Sequence, residues 1–122
     1  MLINCTNHPY ELWGEKQRKA AESYGEVVPF PFPAVSPEME TSEMRRMAAD
    51  YAARIEEMHP QAVLLAGEYT FAFMLVDKLL KDGVKVICSC SRRVTEEKKN
   101  SDGTSEKKST FLFERFREYT YF

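Results

Sequence analysis

The chain is poor in cysteine and glycine, and it has no long apolar run. Its three cysteines, Cys5, Cys88 and Cys90, are odd in number and sit inside apolar runs. They read as reduced core residues, and neither a disulfide framework nor a zinc-ligand spacing is present. No segment approaches the roughly 20 apolar residues that a membrane span requires. The first residues lack the charged start and apolar core of a secretory signal, so a cytoplasmic location and no membrane partner are expected. There is no large excess of charge of either sign: 17 basic against 19 acidic residues leave a net charge of -2. That argues against a dedicated binder of duplex nucleic acid, for which a net basic face is expected, and leaves room only for a local basic patch. The P-loop, GxGxxG, GxSxG and HExxH signatures are all missing, so the sequence gives no warrant for a conventional NTPase or zinc hydrolase, and no cofactor or metal is expected.

What is present fits one domain over residues 1–122, 43% hydrophobic and 30% charged. Apolar residues at 2, 3 and 5 predict a short buried strand that ends in the polar cluster Thr6-Asn7-His8-Pro9. Trp13, Ala20, Ala21 and Tyr24 recur at helical spacing with Gln17 on the same stripe, and Gly25 closes that helix. Residues 26–32, "EVVPFPF", are extended, but their prolines restrict them to a short or edge strand. Thr41 or Ser42 is the expected N-cap of a helix over about 43–58, with Met44, Met47, Ala48, Tyr51, Ile55 and Met58 inward. "AVLLAG" and "VKVICSC" are continuous apolar runs of the kind found in strands buried on both faces. Between them Thr70 is the expected cap of a helix over 71–81. A turn at 100–103 joins a charged arm to an aromatic one, which predicts an antiparallel hairpin over 92–112 with Phe111, Leu112 and Phe113 at its base.

This alternation predicts an α/β fold: a Rossmann-like or flavodoxin-like three-layer sandwich. Its sheet is mainly parallel, of order 2-1-3-4, with a C-terminal antiparallel hairpin strand. In such sheets ligands bind outside the carboxyl ends of the strands, where the strand order reverses. Two loops meet there, Thr6-Asn7-His8-Pro9 and Gly67-Glu68-Tyr69-Thr70. The second offers a glycine for close backbone approach, free amides at a helix N-terminus and a hydroxyl, which together suit an anion. Ser89, Ser91, Arg92 and Arg93 end the neighbouring strand with hydroxyls and two permanent cations. Glu68 is the discordant member, since its carboxylate repels phosphate unless it pairs, meets a ribose hydroxyl or turns away. His8 is the histidine placed at a strand end, so acid-base work falls to it first. Each element also has a purely structural reading: "NHP" as a turn, Gly67 and Thr70 as turn and cap, Arg92 and Arg93 as solvated charges.

The order of elements, the "NHP" after the first strand, and "LLAGEYTFAFMLVDKLLKDGVKVICSCS" together resemble the small CARF-like proteins of type III CRISPR systems. Among them, the stand-alone ring nucleases are similar in size and carry a recurring "HP" after the first strand. The resemblance covers about residues 1–92, and Gly67-Glu68 departs from the double glycine and lysine of the larger sensors. It implies a homodimer that binds a cyclic oligoadenylate, cyclic tetra-adenylate first among them. It also implies ring opening without a metal: a ribose 2′-hydroxyl attacks the adjacent phosphodiester, and the protein aligns the ring and stabilises the phosphorane. Carried onto this chain, His8 takes the proton-transfer role. Asn7, Thr70, Ser91 and the amides after Gly67 donate to phosphate oxygens, and Arg92 supplies charge. Lys98, Lys99, Lys107 and Lys108 of the hairpin would cover the ring or embrace the other subunit. The rivals are a non-catalytic sensor with the same pocket, a phosphate-ester hydrolase on a flavodoxin-like scaffold with a working Glu68, and a protein-interaction module.

Overall fold

The computed structural model describes residues 1–122. Its five strands form one sheet of order β2-β1-β3-β4-β5. β1 (Leu2–Cys5) pairs in parallel with β2 (Val27–Pro29) on one side and β3 (Ala62–Leu65) on the other. β3 pairs in parallel with β4 (Val86–Lys99), and β4 pairs antiparallel with β5 (Ser105–Glu118). The fold is therefore mixed α/β, mostly parallel, with an antiparallel C-terminal hairpin.

Strand side chains alternate between faces, so each run of buried residues serves two cores. Ile3, Cys5, Val63 and Leu65 pack on one face with α2 (Thr41–Glu57) and α3 (Tyr69–Lys81). Leu2, Ala62, Leu64 and Ile87 pack on the other with Trp13 and with Ala21 of α1 (Glu15–Ala21). The sheet is thus covered on both faces, and the chain order diverges on either side of β1. At the centre of the larger core Phe71 is fully buried and meets Phe32 and Tyr51 edge to face, at 5.4 and 5.7 Å between centroids. That geometry suits the ring quadrupoles, and the chain of rings continues from Tyr51 to Phe30 at 5.2 Å.

Three local expectations are corrected by the structure. Trp13 is not helical: a single 3-10 turn (Tyr10–Leu12) follows Pro9, and extended backbone at Trp13 and Gly14 delays α1 until Glu15. β2, as its prolines require, is only three residues long and lies at the sheet edge, because Pro29, Pro31 and Pro33 have no N–H to offer a ladder. Neither Thr41 nor Ser42 caps α2. The extended residue is Glu40, and the helix begins at Thr41 without a side-chain cap. α3 begins at Tyr69, and its cap is Glu68, not Thr70. Gly25 does end the first helical segment, with φ +85°.

Gly67, just beyond β3, is required by space and not by backbone angle. A Cβ there would run into the ring of Phe32, which is held on its other side by Phe71. Gly67→Ala should therefore cost about 1–3 kcal/mol as overpacking, read from the urea midpoint. Gly67→Ala with Phe32→Leu should lose less than the sum of the two single changes.

Candidate functional site

β1 ends in a loop whose backbone is fixed by buried polar groups. Asn4, only 4% exposed, donates from Nδ2 to the His8 carbonyl oxygen at 3.0 Å, and the Trp13 indole N–H donates to the same oxygen at 3.0 Å. Thr6 Oγ1 donates to Asn4 Oδ1 at 2.6 Å and accepts from the His8 N–H at 3.1 Å. Arg18 closes the following turn by donating to the carbonyls of Tyr10 and Glu11, with its guanidinium 4.6 Å from the Tyr10 ring centroid. The main chain of His8 is fully engaged, while its exposed imidazole makes no hydrogen bond within the chain.

His8 lines a cleft of about 770 Å³ at the carboxyl ends of β1 and β3, beside β4 just past its pairing with β3. Thr6, Ala66, Ser89 and Ser91 line it too, so the ends of β1 and β3 and the body of β4 contribute. Gln17, 7% exposed on α1, donates from Nε2 to Ser89 Oγ at 3.4 Å. Ser89 accepts that bond and keeps its own proton to donate outward. β4 and β5 slip register between Cys90 and Ser91, where Phe113 and Arg115 of β5 sit opposite neighbouring residues and Glu114 is the extra one. The bulge brings both Phe113 and Glu114 to the cleft wall. Glu114 then pairs with Lys16 Nζ at 3.3 Å and with Arg92 Nε at 3.2 Å. The hydrogen bond from Lys16, then the charges of Lys16 and Arg92, hold its carboxyl below the ordinary range.

The residues singled out in the sequence divide into three groups. Thr6, His8, Ser89 and Ser91 share the cleft, with Asn7 and Pro9 exposed in the same loop. Arg92 reaches the rim through Glu114, whereas Arg93 points along the hairpin and donates to Ser109 Oγ at 3.1 Å. Gly67, Glu68 and Thr70 do not line the cleft. The Glu68 carboxylate folds back onto its own helix, accepting from the Thr70 N–H at 3.0 Å, the Phe71 N–H at 2.8 Å and the Thr70 hydroxyl at 2.8 Å. The helix N-terminus thus already holds an anion, the chain's own. These bonds, first that from Phe71, lower the Glu68 pKa.

Asn4, Trp13, Gln17, Lys16 and Glu114 went unread in the sequence as parts of a site. A lone asparagine inside the apolar run "LINC" was the available signal, because a buried amide needs partners. Cys5 and Cys88 are no nucleophiles here: burial pushes the Cys5 thiol up to about 12 and raises Cys88, which leaves both protonated at neutral pH.

These features define a mixed α/β protein with a cleft of mixed polar and apolar lining beside the ends of its parallel strands, which carries two serines, His8 and an ion-paired rim. The family model described as the uncharacterized protein MJ1673 family matches residues 1–117, and the chain belongs to that family. No curated protein matches it.

The self-cap makes a pH prediction with a definite sign. A carboxylate whose pKa is lowered on folding stabilises above its unfolded value, about 4.3, and that contribution is lost as pH falls through the folded value. Glu68→Ala should lower the melting temperature by a few degrees at pH 7. The gap to wild type should narrow as the pH is taken below the ordinary carboxylate range, followed by circular dichroism.

Proposed function

We propose that this chain binds a cyclic oligoadenylate, with cyclic tetra-adenylate as the first candidate, and opens it without a metal as a cytoplasmic homodimer. The observation that carries the reading is that His8, Ser89 and Ser91 line one cleft at the carboxyl ends of β1 and β3, beside β4 where it leaves β3. The strand order 2-1-3-4-5 supports a Rossmann-like, flavodoxin-like scaffold, in which that end of the sheet is where ligands bind. The resemblance to stand-alone ring nucleases of type III CRISPR systems supplies the ligand class, and with it the role of ending a signal. Fold analogy alone would not. A four-nucleotide ring is wider than one such cleft, which is why two copies about a two-fold axis are required.

The chemistry needs no group that the cleft lacks. The ribose 2′-oxygen forms a bond to phosphorus, the P–O5′ bond breaks, and the 2′-hydroxyl proton ends on the departing 5′-oxygen. No water is consumed and no electrons are exchanged. Ser89 and Ser91 donate to the non-bridging oxygens, where charge builds in the phosphorane. Lys16 and Arg92, steadied by Glu114, supply positive charge at the rim. His8, with its backbone pinned and its ring free, moves the proton. The phosphate contacts come from β4 and α1 in this reading. Gly67, Glu68 and Thr70 shape the far side of the strand end without touching the phosphate.

Incubation with cyclic tetra-adenylate in the presence of a chelator should yield linear products ending in a 2′,3′-cyclic phosphate. Saturating ligand, at about 100 times its Kd, should add roughly 3 kcal/mol to stability in a thermal-shift assay. His8→Ala should slow cleavage by about 100-fold or more while shifting Kd less than threefold. A ring retained intact by wild type would make the protein a sensor, and no binding of any cyclic oligonucleotide would end the proposal.

A further inference from the structure

Behind the cleft lies a second concavity that the reaction above does not use. It is a groove of about 490 Å³ between α3 and the last four residues of the chain, and most of its lining is aromatic or aliphatic. Its rings stand unusually far into water: Tyr69 is 89% exposed, Phe73 75% and Tyr121 59%. Tyr69 and Phe73 are four residues apart on α3 and so share one helix face. Neither makes a contact that the core needs. The core side of the same helix is supplied by Phe71, Leu75 and Leu79. Groove and cleft also adjoin, because Ala66, the residue after β3, lines both. The groove lies toward the α3 face of the sheet and the cleft toward the α1 face, and the two meet at Ala66 beyond the end of β3.

We propose that this groove is a base-stacking platform, in which Tyr69 and Phe73 receive a purine base of the ligand whose phosphodiester lies in the cleft. The proposal rests on the reading of the cleft as a phosphodiester site and adds the part of the ligand that carries its identity. Flat rings exposed beside a hydroxyl-lined, cation-rimmed cleft match the two halves of a nucleotide. Aromatic faces accept any base by stacking and need no hydrogen-bond code. Aliphatic side chains at the same positions would bury area without presenting a π-face, so the aromatic choice is what points to a heterocycle. The platform is built on a regular helix whose first turn is locked by Glu68, so Tyr69 is held in place before the base arrives.

The test uses two probes, cyclic tetra-adenylate and plain adenosine, with the oligomeric state followed by sedimentation throughout. Tyr69→Ala and Phe73→Ala change exposed side chains, so both variants should fold as wild type. Each should weaken ring binding about tenfold, the size of one stacked base, and Tyr69→Trp should restore it. Adenosine, observed by its shifts of the Tyr69 and Phe73 ring protons, should bind wild type and His8→Ala alike and should fail to bind Tyr69→Ala. If the ring fails to bind wild type while adenosine still shifts those protons, the ring-opening reading falls and the platform stands. If adenosine shifts nothing in the groove, or if Tyr69→Ala and Phe73→Ala bind the ring as wild type does, the platform is overturned. It is likewise overturned if Phe73→Ala converts a dimer to a monomer, since the face would then belong to a second copy.

Discussion

One carbonyl oxygen organises the functional end of this molecule. The backbone oxygen of His8 receives the Asn4 amide from within β1 and the Trp13 indole from beyond the turn, at 3.0 Å each. Both donors are buried, and a buried donor left unpaired costs about 1–3 kcal/mol, so neither can let go cheaply. This double bond to one acceptor turns an exposed four-residue loop into a fixed bracket. It also separates two jobs within one residue: the main chain of His8 holds the fold, and the side chain is left for chemistry. The late start of α1 follows from the same contact, since Trp13 must stay extended for its ring to pack beneath the loop with its N–H turned toward His8.

The strands were legible because burial on both faces writes a continuous apolar run, as in "AVLL" and "VI", that needs little context. The inward stripe of α2 was legible for the matching reason: Met44, Ala48 and Ile55 repeat at helical spacing and are buried as a set. Helix beginnings were less legible. Whether Thr70 or Glu68 caps α3 depends on a side-chain torsion of Glu68, which can carry its carboxylate back to the Phe71 amide or out toward a ligand. The same four letters, "GEYT", support both, and composition alone does not choose.

The cleft was half legible. His8 follows β1, and Ser89 and Ser91 lie on β4 just past its pairing with β3, so their convergence could be anticipated from element order. Asn4 signals in the sequence that a buried amide needs partners without saying which, and Gln17 gives no such signal, because its partner, Ser89, lies on a distant strand. Glu114 was hidden for a different reason. Its place depends on a one-residue slip between two strands, and a slip leaves no mark in a regular alternation of charged and apolar residues.

That slip sits at the foot of a lever. β4 shares only Val86 and Ile87 with β3, and beyond Ile87 it is paired with β5 alone out to Lys99. At about 3.3 Å per residue, the twelve residues from Cys88 to Lys99 reach roughly 40 Å. The fulcrum is narrow and lies beside the wall that carries Phe113 and Glu114. The Glu114 carboxylate that holds Lys16 and Arg92 at the rim therefore stands where this long arm leaves the sheet, at the one irregular point in its pairing.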